Sequence, residues 1–150
     1  MEFRKYSVED ETEVKNIFRQ YWTDADFLEE LASELDSDNC RFYILEDHGE
    51  IIGIAGLRPA PEYIGKHAET KNPVELYIIA SKYKNKGIGS FLARRVFEEA
   101  RRLQYSEILC YSPETHNSSW KFYESLEFEQ GGIIQDPDDG YPGMLWKRPL

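Results

Sequence analysis

Cysteine is scarce in this 150-residue chain: Cys40 and Cys110 stand far apart, outside any Cys-x-x-Cys pattern, which argues against a disulfide framework. Cys110 sits in a short apolar run and reads as a small buried hydrophobe. The three histidines, His48, His67 and His116, lack metal-ligand spacing, so no metal is expected. No apolar run approaches the roughly 20 residues that span a bilayer, and mean hydropathy is −0.63, so no membrane association is expected. The first ten residues lack the apolar stretch of a signal peptide, and the expected compartment is the cytoplasm. A basic excess is missing too: 18 Lys and Arg stand against 28 Asp and Glu, a net charge of −10. A nonspecific nucleic-acid binder needs a basic footprint, so no nucleic-acid partner is expected.

What is present is a foldable chain. Hydrophobic residues make up 41% and aromatics 14%, which excludes disorder. The length suits one domain over residues 1–150, able to bury roughly 70% of the surface its unfolded chain would expose. Charge is unevenly spread. Between residues 82 and 102 seven basic side chains (Lys82, Lys84, Lys86, Arg94, Arg95, Arg101, Arg102) meet two acidic ones (Glu98, Glu99). That segment carries +5 and the remainder −15, a distribution suited to holding a polyanionic ligand at one place. The four arginines read as a solvated helix face, since Arg94/Glu98, Arg95/Glu99 and Glu98/Arg102 are i,i+4 pairs. The three lysines fall outside that pattern.

Periodicity gives the element order. Ser7 to Asp10 reads as a helix cap, followed by Val14, Ile17, Phe18 and Tyr21 on one face. A second helix starts near residues 23–26, with Phe27, Leu28, Leu31 and Leu35 inward. Strands are expected at 41–46 and 51–57 around a turn in which Gly49 supplies a positive φ. Residues 58–73 are long for a structureless connection, which suggests an active-site loop or a short irregular element. A strand over 74–80 leads into a helix that ends near Leu103, with Ile88, Leu92, Val96, Ala100 and Leu103 on its apolar face. A strand at 107–111, a helix at 118–126, and strands at 128–135 and 144–148 complete a mixed α/β (α+β) pattern of one sheet with helices on its faces.

The chemistry concentrates in Lys84-Asn85-Lys86-Gly87-Ile88-Gly89-Ser90, between a strand and a helix. The first amides of a helix have no partner within it, and its dipole adds positive potential there. Gly87 and Gly89 let a ligand approach the backbone closely, and Lys82, Lys84 and Lys86 add charge. Together these make a diphosphate cradle. A P-loop, GxxxxGK[ST], is absent, and a dinucleotide fingerprint would need glycine where Leu92 stands.

Tyr77-Ile-Ile-Ala-Ser-Lys-Tyr-Lys-Asn-Lys-Gly-Ile-Gly89 resembles the acetyl-CoA-binding segment of the GNAT superfamily of N-acetyltransferases, whose pattern is Arg/Gln-x-x-Gly-x-Gly/Ala after the central strand. Here Lys84 takes the first position, keeping the charge and losing the planar fork. Asn117-Ser-Ser-Trp-Lys-Phe-Tyr123-Glu-Ser-Leu-Glu-Phe128 is similar to a second segment of that family, with Trp120 in place of alanine and Glu127 where glycine is common. The resemblance covers essentially the whole chain. It implies a central mixed, mostly antiparallel sheet flanked by helices, acetyl-CoA as co-substrate, an amine acceptor, and a homodimer as one option.

The resemblance also implies roles. Tyr77, Ile78, Ile79, residues 84–90 and Asn117 would bind the cofactor, Asn117 by bonding the pantetheine arm or by capping the helix that comes after it. Ile78 and Ile79 would offer backbone N–H groups to the pantetheine amides and the oxyanion, because the strand splays from its neighbour. Tyr123 would protonate the departing thiolate. An amine of pKa near 10.4 is neutral in only about one molecule per few thousand at pH 7, so a base is needed, and Glu75, on the Tyr77 face of the strand, is the candidate. Apart from the resemblance, the acidic balance suits a cationic acceptor, with Glu62, Glu69 and the turn at 136–139 as candidate contributors, and Tyr63, His67 and Trp22 are candidates for shaping its pocket. A noncatalytic acyl-CoA-binding or partner-binding domain, and a phosphate-binding regulator, are the competing readings.

Overall fold

In a computed structural model, which describes residues 1–113, 119–138 and 140–150, the chain runs β1 (Glu2–Lys5), a 3-10 turn (Val8–Asp10), α1 (Glu11–Tyr21), α2 (Ala25–Leu35), β2 (Arg41–Asp47), β3 (Glu50–Pro59), α3 (Glu62–Gly65), β4 (Pro73–Ser81), α4 (Ile88–Arg102), β5 (Glu107–Pro113), α5 (Trp120–Ser125), β6 (Glu129–Gln135) and β7 (Pro142–Pro149). Hydrogen-bonded strand order is β1-β2-β3-β4-β5-β7-β6. The β4/β5 pair is parallel, and the β1/β2, β2/β3, β5/β7 and β6/β7 pairs are antiparallel. This is the mixed, mostly antiparallel sheet that the sequence led us to expect. No helix among the described residues is long and apolar enough to cross a membrane.

Two additions go beyond the sequence reading: β1, and the short helix α3 inside the 58–73 segment. The chain divides into two compact units, Met1–Arg58 with Ile78–Val96, and Pro59–Tyr77 with Phe97–Leu150.

In the first unit, His48 (φ 50°) and Gly49 (φ 80°) make the two-residue turn that joins β2 to β3. The apolar faces of α1 and α2 bury Val14, Ile17, Phe18, Leu31 and Leu35. Arg4 donates to both carboxylate oxygens of Asp10 at 2.8 and 2.9 Å, and the Ser7 N–H also donates to that carboxylate at 2.9 Å. The capping residues expected at this corner are therefore joined to β1. Gly53 on β3 sets how closely α4 can pack. A Cβ there would lie 3.1 Å from Leu92 and 3.6 Å from Ile88, so its absence lets the first turns of α4 lie close against the strand.

In the second unit, β5 pairs with β7 through seven positions from Glu107↔Pro149 to Pro113↔Gly143. On this unit's α3 side Ile64, Leu109 and Leu145 form a buried cluster, with Tyr63, Tyr111 and Ile134 packed around it. Phe97 and Phe128 meet edge to face at 5.7 Å, and the Arg148 guanidinium lies 4.6 Å from the Phe97 ring centroid. Arg102 pairs with Glu99, three positions before it on α4.

Glu107 fixes the segment that leads into β4. Its buried carboxylate accepts the backbone N–H groups of Glu69 and Thr70, each at 3.0 Å, and the Thr70 hydroxyl at 3.0 Å. Deleting it would leave two amides without an acceptor. Glu107→Ala is expected to cost about 2 kcal/mol, measured as a lower denaturant midpoint, and Glu107→Gln, which keeps one acceptor oxygen, is expected to cost less. An Ala variant with the wild-type midpoint would refute the clamp.

Candidate active site

The turn between β4 and α4 is built from the end of the strand outward. Lys82 N–H donates to Ile52 O at 2.8 Å, and there the chain leaves the sheet. It then passes through two left-handed residues, Asn85 (φ 61°) and Gly87 (φ 75°), and α4 begins at Ile88. Asparagine is among the few side chains that tolerate this region, and glycine enters it freely. A Cβ placed on Gly87 would meet nothing within 4 Å, so the constraint there is conformation, and the space beside it is open. Lys84, Asn85, Lys86 and Gly87 are exposed, Gly89 and Ser90 are half-buried, and Ile88 is buried beneath the turn.

The three lysines are not equivalent. Lys82 Nζ lies 2.5 Å from Glu50 Oε2, an oxygen that also accepts the Tyr83 hydroxyl at 2.5 Å. Lys82 and Tyr83 hold the Glu50 carboxyl below its ordinary pKa, and Glu50 in turn raises that of Lys82. Lys82 is thus paired with a carboxylate within the fold. Lys84 Nζ instead lies over the Tyr21 ring, 5.1 Å from its centroid. Lys82 and Glu50 are half-buried and still reach water, so their ionic energy is small.

In the second unit, the parallel β4/β5 register covers only Pro73↔Glu107, Val74↔Ile108 and Glu75↔Leu109. Past Glu75 β4 runs on to Ser81, while β5 continues along β7 to Pro113. Glu75, 3% exposed, therefore stands at the last paired position. Tyr77 and Ile79 are half-buried and Ile78 is buried.

Cys110 is the next residue of β5. The Tyr123 hydroxyl donates a hydrogen bond to its sulfur. Burial pushes the Cys110 thiol from 9.0 up to about 12, with the Glu75 carboxylate adding to the rise and the Tyr123 hydrogen bond opposing it. Burial, with Cys110 as neighbour, likewise holds the Tyr123 phenol well above its ordinary pKa. Tyr123 packs against Trp146 at 5.6 Å and Phe128 at 5.8 Å. Glu75, Cys110 and Tyr123 are therefore electrostatic neighbours in a largely dry setting. The sequence reading had Cys110 buried but missed its polar contact, and nothing in the local sequence signals it.

Asn117 lies outside the described residues, as do His116 and Asp139. Of the acceptor candidates, Tyr63 donates to Asp136 at 3.3 Å, while Lys147 Nζ contacts the His67 carbonyl at 3.1 Å and the Glu69 carboxylate at 3.4 Å. Trp22 packs edge to face between Phe18 and Phe27 at 6.0 and 5.5 Å, an aromatic cluster where α1 meets α2.

Comparison with known proteins extends this description. The profile of the acetyltransferase (GNAT) family matches residues 11–128. The chain is similar to a protein named N-acetylaspartate synthetase in Danio rerio, 31% identical over 111 residues (73% of this chain, 36% of that protein). It is also similar to one of the same name in Xenopus tropicalis, 31% identical over 96 residues (63% and 32%). The chain thus spans about a third of the length of these curated relatives. Its fold is similar to that of an aminoglycoside 6'-N-acetyltransferase solved with coenzyme A, with a TM-score of 0.75 at 13% identity over 99% of this chain and 97% of that one.

The thiol environment makes a testable statement about pH. A group whose pKa is raised on folding adds stability below its unfolded value, and this is lost as pH climbs toward the folded value. Unfolding free energy is therefore expected to decline from about pH 9 toward pH 12, from the unfolded and folded values of Cys110. In Cys110→Ala the decline between pH 9 and 10 is expected to be shallower, whatever the variant's overall stability. Equal slopes in chemical denaturation series would contradict the buried thiol's shift.

Proposed function

The chain belongs to the acetyltransferase (GNAT) family, and from that membership we propose that residues 1–150 act as one acetyl-CoA-dependent N-acetyltransferase domain, which moves an acetyl group to a primary amine by direct attack in a ternary complex. The observation that carries the reading is the β4–α4 turn, where two left-handed residues and a helix N-terminus stand beside exposed Lys84 and Lys86. Helix-start amides and lysine charge suit a diphosphate, and residues 84–90 take that role. The backbone of Tyr77, Ile78 and Ile79 serves the pantetheine arm, and Asn117 is proposed for the same arm. Acetyl-CoA supplies an activated acyl group as a thioester.

The proposed roles follow the order of the chain: Glu75 for the reactive end, Ile78 and Ile79 for the pantetheine arm, and the turn for the diphosphate. Glu75 accepts the proton that the attacking amine gives up as the new C–N bond forms. Tyr123 faces the sulfur as the C–S bond breaks. Because burial keeps this phenol protonated, it enters the reaction as a hydrogen-bond donor. Proton transfer becomes favourable only as negative charge accumulates on the sulfur. Cys110 holds the Tyr123 hydroxyl until then.

The experiment is a thiol-release assay with acetyl-CoA and a panel of amines that includes L-aspartate, an aminoglycoside and a polyamine. Amine-dependent release of coenzyme A is expected. Tyr123→Phe is expected to lower turnover by about a hundredfold while coenzyme A affinity holds. If coenzyme A binds but no amine accelerates thiol release, the domain is a noncatalytic acyl-CoA binder. Wild-type turnover in Tyr123→Phe would remove the phenol from the mechanism.

A further inference from the structure

Tyr21 closes α1, and its side chain touches the β4–α4 turn at two points. Its hydroxyl donates to Ser81 O at 2.6 Å and lies 3.3 Å from Ser81 Oγ, across 60 positions of sequence. Its ring carries the Lys84 ammonium, 5.1 Å from the centroid, within the range at which a cation is held by a π face. Glu50 takes the intervening residues, Lys82 and Tyr83. The turn is thus pinned on one side by a carboxylate and on the other by a phenol.

The two pins differ in what they leave behind. A carboxylate orients a lysine and cancels its charge, whereas an aromatic face orients a lysine and leaves the charge in place. This chain carries ten excess negative charges, and Glu13 and Glu50 both act electrostatically on the neighbouring Lys82. A lysine on a flexible four-carbon stem would readily be captured by such carboxylates.

We propose that Tyr21 is a positioning residue for the β4–α4 turn: its hydroxyl fixes the backbone where the strand ends, and its ring holds Lys84 oriented and uncancelled, so that the charge is available to the diphosphate of acetyl-CoA. The inference rests on the proposed role of residues 84–90. Phenylalanine at 21 would keep the ring and lose the hydroxyl, and leucine would lose both.

The test is calorimetric titration of coenzyme A into wild-type protein, Tyr21→Phe and Tyr21→Leu, each with Lys84 intact and with Lys84→Met. With Lys84 present, Tyr21→Leu is expected to bind about two- to fivefold more weakly than Tyr21→Phe. With Lys84→Met the two variants are expected to bind equally, because the ring acts through that ammonium. The same difference between them in both backgrounds would overturn the proposal and leave Tyr21 a packing residue. Should Tyr21→Leu fail to fold, the wild-type protein decides. The Lys84 ε-methylene signals are expected to be ring-shifted in NMR spectra and to move when coenzyme A is added, and unshifted signals would overturn the proposal. Wild-type protein that gives no heat with coenzyme A would remove the diphosphate reading itself, and this inference with it.

Discussion

Between Ser81, where β4 ends, and Ile88, where α4 begins, the chain must leave the sheet, reverse and restart as a helix. That constraint organises the rest. It places left-handed backbone at Asn85 and Gly87, and it exposes a helix N-terminus with lysines on both sides of Asn85. The missing side chain at Gly53, which lets Leu92 and Ile88 approach β3, and the contacts of Tyr21 and Glu50 all serve to hold this turn. Under the proposed function, strand, turn and helix N-terminus would form the anion site, because the first amides of α4 have no partner within the helix.

Electrostatics in this protein is a problem of allocation. With 28 carboxylates and 18 basic side chains, any positive charge proposed to serve a ligand must be kept from internal partners. Lys82 is matched by Glu50 and acts as a strut. Lys84 rests on a neutral ring. The same economy governs the second unit, where burial keeps the Cys110 thiol and the Tyr123 phenol in their neutral, protonated forms. The first arrangement orients a charged side chain on a neutral ring, and the second keeps two groups protonated by excluding water.

Much of this was legible in the sequence, for local reasons. The strand-like apolar run at 74–80, the glycines at 87 and 89 and the apolar stripe of the helix after them are short-range signals, and β4, the turn and α4 match them closely. Gly49 marked its hairpin, although His48 joins it in the left-handed region. What escaped was set by distant partners. β1 is four residues long and carries Glu2, Arg4 and Lys5, so it has no apolar alternation to detect and is defined by pairing with β2. α3 is a single turn whose place depends on Leu109 and Leu145. The contacts of Tyr21 with Ser81, Glu50 with Lys82, and Glu107 with Thr70 span 60, 32 and 37 positions, beyond the reach of periodicity. Of the two cysteines, the one that touches Tyr123 is marked only by the packing of α5 against the strands.

The most direct measurement of the central claim is a coenzyme A titration followed through the backbone amide resonances of the protein. The account predicts that the largest shifts fall on the amides of residues 85–90, with smaller ones at Ile78 and Ile79. Amides at 85–90 that stay still while another segment responds would contradict it.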